Sequence, residues 1–149
     1  MITRVDTYLY RGPRPDTMDE IKANGIKHVI NLEVGYFEWF HHEAGAEQAM
    51  CEQNQVTYEH YPLSDICSPT KAQADQIICQ IIKYKLLGEK VLVHCLHGQD
   101  RTGWIIAGWN VEEMGWTVDK AIENMLQMGF HVFPYKYLGW IEELKEYLG

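Results

Sequence analysis

The chain is predicted to be an α/β domain, with a mostly parallel central sheet of about four to five strands flanked by helices. Three observations predict it. Short apolar runs of strand length alternate along the sequence with longer stretches whose apolar residues recur at helical spacing. Strands separated by helices pair in parallel through crossover connections. A glycine-containing turn also joins the run Lys90-Val91-Leu92-Val93 to Trp104-Ile105-Ile106-Ala107. One strand therefore feeds one buried helix through a loop at its carboxyl end, where ligands bind in such folds.

Taken in order, Thr7-Tyr8-Leu9-Tyr10 reads as the first strand and Arg11-Gly12-Pro13-Arg14-Pro15 as a turn. Thr17 and Glu20 have capping-box spacing and open a short helix that ends at Gly25. Lys27 to Leu32 is the next strand, and Glu33 through Phe40 is irregular and aromatic, with Tyr36-Phe37-Glu38-Trp39-Phe40 suited to packing under a loop or rimming a pocket. A helix is expected from near His42 to near Gln53, then a strand over Val56 to His60 and a proline-bracketed loop from Tyr61 to Pro69. Thr70 and Gln73 form a second capping box for a helix with Ile77, Ile78, Ile81 and Ile82 on one face, stopping at Gly88. Beyond the Trp104 helix, Gly115-Trp116-Thr117 turns the chain into a helix carrying Ala121, Ile122, Met125 and Leu126 and ended by Gly129. Pro134 is expected to open the last helix, with Leu138, Ile141, Leu144 and Leu148 inward.

A length of 149 residues suits a single domain spanning 1–149, with a core that needs no disulfide or metal staple. The absence of any long uncharged apolar run argues against a membrane span and against stable membrane association. The N-terminus lacks the apolar core of a signal peptide, so a cytoplasmic monomer is expected. A net charge of −8 argues against nucleic acid as a partner. Cys51, Cys67, Cys79 and Cys95 contain no Cys-x-x-Cys pair, which disfavours a disulfide framework or zinc cage. His94, Cys95 and His97 sit too close in one tight turn to close a tetrahedron, so neither metal nor cofactor is expected.

The chemistry concentrates in His94-Cys95-Leu96-His97-Gly98-Gln99-Asp100-Arg101-Thr102-Gly103. In a strand-to-helix turn, successive backbone N–H groups can form a nest for an anion, and the helix adds its positive end. Leu96, His97, Gly98, Gln99 and Asp100, with Cys95 and Arg101, would supply that nest. Arg101 offers a planar guanidinium able to grip two oxygens of a phosphate at once. The same field favours a thiolate at Cys95, and Thr102 can donate its hydroxyl to the sulfur. Gly98 permits a positive φ, and Gly103 would let the helix start pack close to the strand. The combination reads as a nucleophile aimed at phosphorus.

Five residues between Cys and Arg, followed by Thr, with His before the Cys and Gly three after it, resembles the signature of the cysteine-dependent protein tyrosine phosphatases, in particular the small dual-specificity and atypical types. The Tyr-Leu-Tyr-Arg-Gly opening and the Gly-Ile-Lys-His-Val-Ile-Asn-Leu strand extend the resemblance over nearly the whole chain. It implies the minimal phosphatase fold and a metal-independent phosphomonoester hydrolase that forms a cysteinyl phosphate. It also implies that His94 braces the loop by hydrogen bonding.

Such a reaction needs an acid for the leaving oxygen. Asp65, 30 residues before Cys95 on the 61–69 loop, matches the general-acid loop of the small dual-specificity phosphatases. Asp100 is the alternative, because a Gly-x-Asp-Arg-Thr-Gly ending resembles some bacterial tyrosine and phosphoinositide phosphatases; otherwise Asp100 holds the turn. Cys67 is either a small loop residue or a partner for Cys95 under oxidation. A chain this short leaves little room for tall pocket walls, so phosphotyrosine and phosphoserine or phosphothreonine proteins or peptides are the expected substrates. Inositol polyphosphates or phosphoinositides are the alternative, for which His97, His41, His42, Lys71, Arg11 and Arg14 would have to gather. A catalytically weak phospho-ligand-binding module is a third reading, disfavoured because Cys, Arg and acid candidates are all retained.

Overall fold

A computed structural model describes residues 1–34, 44–136 and 138–149. Its frame is a sheet of five strands, β1 (Thr3–Arg4), β2 (Leu9–Gly12), β3 (Ile26–Asn31), β4 (Thr57–His60) and β5 (Lys90–His94), in the order β1-β2-β5-β3-β4. β2, β5, β3 and β4 run parallel, and β1 adds an antiparallel edge. Val91, Leu92 and Val93 make β5 a continuous apolar run with no exposed surface, which places it centrally. Gly12 and Asn31 both register against His94, and His60 registers against Asn31, so four strands finish at one edge.

Helices cover both faces. On one lie α3 (Lys71–Leu86), α4 (Arg101–Glu112), α5 (Val118–Gln127) and α7 (Trp140–Leu148), packed through Ile77, Ile81, Trp104, Trp109, Ala121, Trp140 and Leu144. On the other, Met18, Ile21 of α1 (Asp19–Ala23) and Cys51 of α2 (Ala44–Gln53) pack on Val29 and Leu92. α4 is buried along its whole length from Arg101 to Asn110, because it lies between the sheet and the other helices. Among the described residues no helix is long and apolar enough to cross a membrane.

Several sequence expectations need correction. The first strand lies two residues later than read, so Arg11 and Gly12 belong to β2 and not to a turn, and the antiparallel β1 before it has two exposed residues with no pattern to betray it. The capping box at Thr17 and Glu20 does not form. Burial of Met18 and Ile21 sets the start of α1 at Asp19; Thr17 accepts from Asp19 N at 3.3 Å, and Glu20 accepts from Ile2 N at 3.2 Å. The box at Thr70 is complete, with Gln73 N donating to Thr70 Oγ1 (3.2 Å) and Thr70 N to Gln73 Oε1 (2.9 Å).

Pro134 lies in a short separate helix, α6 (Val132–Tyr135), and the last helix begins at Trp140 after Gly139, whose φ is +80°. Trp140 and Leu144 take its inner face, while Leu138 is exposed. Leu126 is likewise partly exposed, and Ile82 is half-buried at the margin of the core. The aromatic run Tyr36 to Phe40, the residues His41 and His42 and so the expected helix start near His42 fall outside the described residues.

The two capping sites offer a direct comparison. Thr70→Ala should lower stability by about 1 kcal/mol in urea unfolding, whereas Thr17→Ala should stay within about 0.5 kcal/mol of the parent.

Candidate active site

The segments following β2, β3, β4 and β5 meet at the carboxyl edge of the sheet. Arg14 N donates to Leu96 O (3.1 Å), Leu32 N to His94 O (2.8 Å) and Leu63 N to Leu32 O (3.0 Å), so each segment is tied to the next. The loop Cys95 to Asp100 runs from β5 into α4. Gly98 has φ +73°, and a Cβ there would lie 2.4 Å from the backbone of Gly12. Only glycine fits on both counts, as its place in the sequence predicts. Gly103 differs: a Cβ there would meet Met125 and the Arg11 guanidinium at 3.4 and 3.5 Å, so its close neighbours are side chains and not the strand backbone.

Beneath the loop lies a set of buried charges. His94 has no exposed surface; its Nε2 is 2.6 Å from Glu47 Oε2 and its Nδ1 is 3.1 Å from the Cys95 carbonyl. A carbonyl only accepts, so Nδ1 carries a proton toward Cys95, and the Glu47 carboxyl holds the other side of the ring. Arg14 pairs with the buried Glu33 through Nε (2.9 Å) and through Nη2. Arg11, also buried, donates from Nη2 to Gly98 O at 2.8 Å. Burial holds its guanidinium below the ordinary arginine range, and Cys95 opposes that shift. Glu33, Glu47 and His94 bring ligand atoms within 4.8 Å of one another, but Arg14 and the His94–Glu47 pair already engage them.

Above the loop, a cavity of about 170 Å³ is lined by Asp65, Cys95, Leu96, His97, Asp100, Arg101 and Tyr135. The sequence-selected nucleophile, arginine and both carboxylates therefore share one space. Arg101, the first residue of α4, is buried and donates from Nη1 to Leu63 O at 3.4 Å. Asp65 is exposed, and its carboxylate has no hydrogen bond among the described residues. Its loop is nonetheless fixed: Ser64 Oγ accepts from Ile66 N and Cys67 N (3.0 Å each), and Trp140 Nε1 donates to Ile66 O (2.8 Å). Asp100 is engaged instead by His131, through its N (2.8 Å) and Nδ1 (3.0 Å).

Thr102 departs from expectation. Its hydroxyl is buried and has no hydrogen-bond partner among the described residues, so it does not reach the Cys95 sulfur. The Gly98 carbonyl four residues back, the usual acceptor for a helical Thr, is turned to Arg11. Of the cations named for extra phosphates, His97 lines the cavity, Arg14 is held by Glu33, Arg11 lies beneath the loop, and Lys71 pairs with Asp75. Cys67 and Cys95 are both free thiols.

Tyr135 and Glu47 went unnoticed in the sequence. Burial, then the charges of Asp100 and Asp65, push the Tyr135 phenol up to about 12, against a smaller opposing effect of Arg101, so it stays a neutral hydroxyl at any working pH. Its segment is locked to the loop, since a Cβ on Gly129 would lie 2.6 Å from Gln99 Nε2.

The family model for the dual specificity phosphatase catalytic domain matches residues 7–147. The chain belongs to that family. It is 26% identical over 151 residues to human dual specificity protein phosphatase 8, covering 99% of this chain and 22% of that protein. The chain thus spans about a fifth of the length of that relative. The fold is similar to that of P. aeruginosa TpbA (TM-score 0.77, 19% identity, covering 99% of this chain and 88% of that one). It is similar also to PTPMT1 in complex with PI(5)P (TM-score 0.76, 19% identity, 99% and 96% covered). At those identities the structural likeness speaks for fold alone.

Removing the carboxylate of a fully buried pair leaves its partner uncompensated. Glu47→Ala is expected to cost about 3–5 kcal/mol, measurable as a lowered urea midpoint with unchanged slope.

Proposed function

We propose that this chain hydrolyses phosphomonoesters through a cysteinyl phosphate, with Cys95 as nucleophile, Arg101 and the loop N–H groups as the oxyanion cradle, and Asp65 as general acid. The observation that supports it is the shared cavity, which is lined by thiol, guanidinium and a carboxylate without a hydrogen-bond partner among the described residues. In the first step the Cys95 sulfur anion forms a bond to phosphorus while the ester P–O bond breaks, and Asp65 gives its proton to the departing oxygen. In the second, water attacks phosphorus, Asp65 takes the water's proton, and the S–P bond breaks to release phosphate and the sulfur anion. Charge stays on the phosphoryl oxygens throughout, so prepositioned donors do most of the work. Thr102 would stabilise the released sulfur anion only after its unpartnered hydroxyl turns toward Cys95.

Asp65 is preferred over Asp100 as acid because Asp100 already accepts from His131. His94, held by Glu47, braces the Cys95 carbonyl and so the loop. A reducing compartment such as the cytoplasm would keep the thiol usable. The substrate class that fits best is a protein or peptide phosphomonoester, phosphotyrosine or phosphoserine/threonine. The cavity is small, and Arg14 and Lys71, which a polyphosphate would need, are occupied by Glu33 and Asp75. Phosphoinositides are the second reading, favoured by the likeness to PTPMT1, solved with PI(5)P.

Cys95→Ser should abolish turnover while retaining phosphate affinity, and rapid quench of the parent enzyme should trap phosphate on Cys95. Substantial activity in the serine variant would refute the covalent scheme. Asp65→Asn should slow the chemical step by roughly 10²–10⁴-fold and Asp100→Asn by far less; the reverse order would move the acid to Asp100. Phosphate release should be faster from a phosphotyrosyl peptide than from inositol hexakisphosphate or a phosphoinositide, and the opposite ranking would favour the second reading.

A further inference from the structure

On the side of the loop opposite the candidate active site, a second cavity of about 130 Å³ opens between β1, β2, α4 and α5. Its polar lining consists of Thr3, Arg4, Arg11, Asn110 and Asn124, with Trp116 on an apolar wall. It contains two arginines and no carboxylate, in a chain whose net charge is −8.

The donors in it are unspent. Arg11 is 3% exposed, and its guanidinium makes a single hydrogen bond among the described residues, from Nη2 to Gly98 O, which leaves Nε and Nη1 without acceptors. Asn110 is also 3% exposed, and its side-chain amide has no partner among the described residues. Thr102 Oγ1 is the fully enclosed side-chain polar atom that lacks a partner among those residues, so the idle donors of Arg11 and Asn110, residues that line the cavity, are not fully enclosed. The Asp6 carboxylate accepts from Tyr8 N, Leu9 N and Trp109 Nε1 and takes no hydrogen bond from Arg11. The Cys95 sulfur is the acidic group whose charge bears on Arg11, but it takes no hydrogen bond from Nε or Nη1, and a buried guanidinium with idle donors is completed by an anion that meets them.

We propose that this cavity is a binding site for a small tetrahedral oxyanion, of the class of inorganic phosphate, with Arg11 as its charge, Asn110 and Asn124 as neutral donors and Arg4 at its mouth. The volume corresponds to roughly four water molecules, which admits a single phosphate and excludes nucleotides and inositol polyphosphates. The guanidinium that takes the ion also holds the Gly98 carbonyl, so occupancy of this cavity and the conformation of the loop above are coupled through one side chain. The site stands independently of the catalytic proposal, since binding here requires no turnover.

The test is a ¹⁵N NMR titration with inorganic phosphate at constant ionic strength on the parent chain, Arg101→Ala, Asn110→Leu and Asn124→Leu. Backbone amides 96–101 report the loop, and the Trp116 indole and the remaining cavity side-chain amides report the second site. In Arg101→Ala the cavity reporters should keep titrating, and any response left in the loop amides should follow the cavity's titration curve, as the Arg11–Gly98 coupling requires. In Asn110→Leu, and in Asn124→Leu should that first variant fold poorly, the Trp116 response should weaken at least about tenfold with the loop response retained. Cavity reporters that stay still in the parent, that fall silent together with the loop in Arg101→Ala, or that titrate normally in both leucine variants would each overturn the proposal. Absence of phosphatase activity would leave this outcome untouched.

Discussion

The seating of β5 between β2 and β3 is the constraint on which the rest of the molecule depends. Its register against Gly12 and Asn31 brings both flanking strands to an end level with His94, one residue before Cys95. Because the neighbouring strands run parallel, their carboxyl ends open on the same side, and the loops that follow have no choice but to converge there. The apolar run Val91-Leu92-Val93 sustains this, since a strand with no exposed surface gains most from a central berth.

That convergence puts polar and charged groups under cover, and the fold deals with each by pairing. Glu33 takes Arg14, Glu47 takes His94, and Asn31 Oδ1 accepts from Glu33 N at 2.8 Å. Such pairs contribute little net stability over apolar packing, but they penalise any displacement severely, because a separated partner would be left charged in a dry interior. The consequence is a loop held in one shape before any ligand arrives, the condition for donors to act on a phosphoryl group without reorganising. The groups that face outward, Asp65 and His97, are exposed and lack that restraint from charge partners among the described residues.

Local signals read well in the sequence and distant ones did not. The helix with Ile77, Ile78 and Ile81 inward, the Thr70 cap, the positive φ at Gly98 and the meeting of Cys95, Asp100 and Arg101 each follow from residue type and short-range spacing, whereas Asp65, 30 residues away, is selected by family resemblance. β1 escaped notice because two exposed residues have no periodicity, and Thr17 misled because a capping pattern yields when burial of Met18 and Ile21 sets the helix start. Glu47 sits on an unremarkable helix 47 residues from His94, and Tyr135 reaches the cavity only after two further helices have turned the chain back. No local pattern encodes such meetings; they are products of the topology.

The lodging of Gln99 against Gly129 and of Asp100 against His131 has a further meaning for how little of the chain could suffice. A fragment ending with α4 would retain Cys95 and Arg101, yet it would lose Tyr135, the His131 clasp and the indole of Trp140 that steadies the 61–69 loop. What remained would be an anion loop open to bulk water on one flank. The smallest unit that keeps this cavity whole therefore reaches past the signature by some forty residues, into the segment where the sequence is least distinctive.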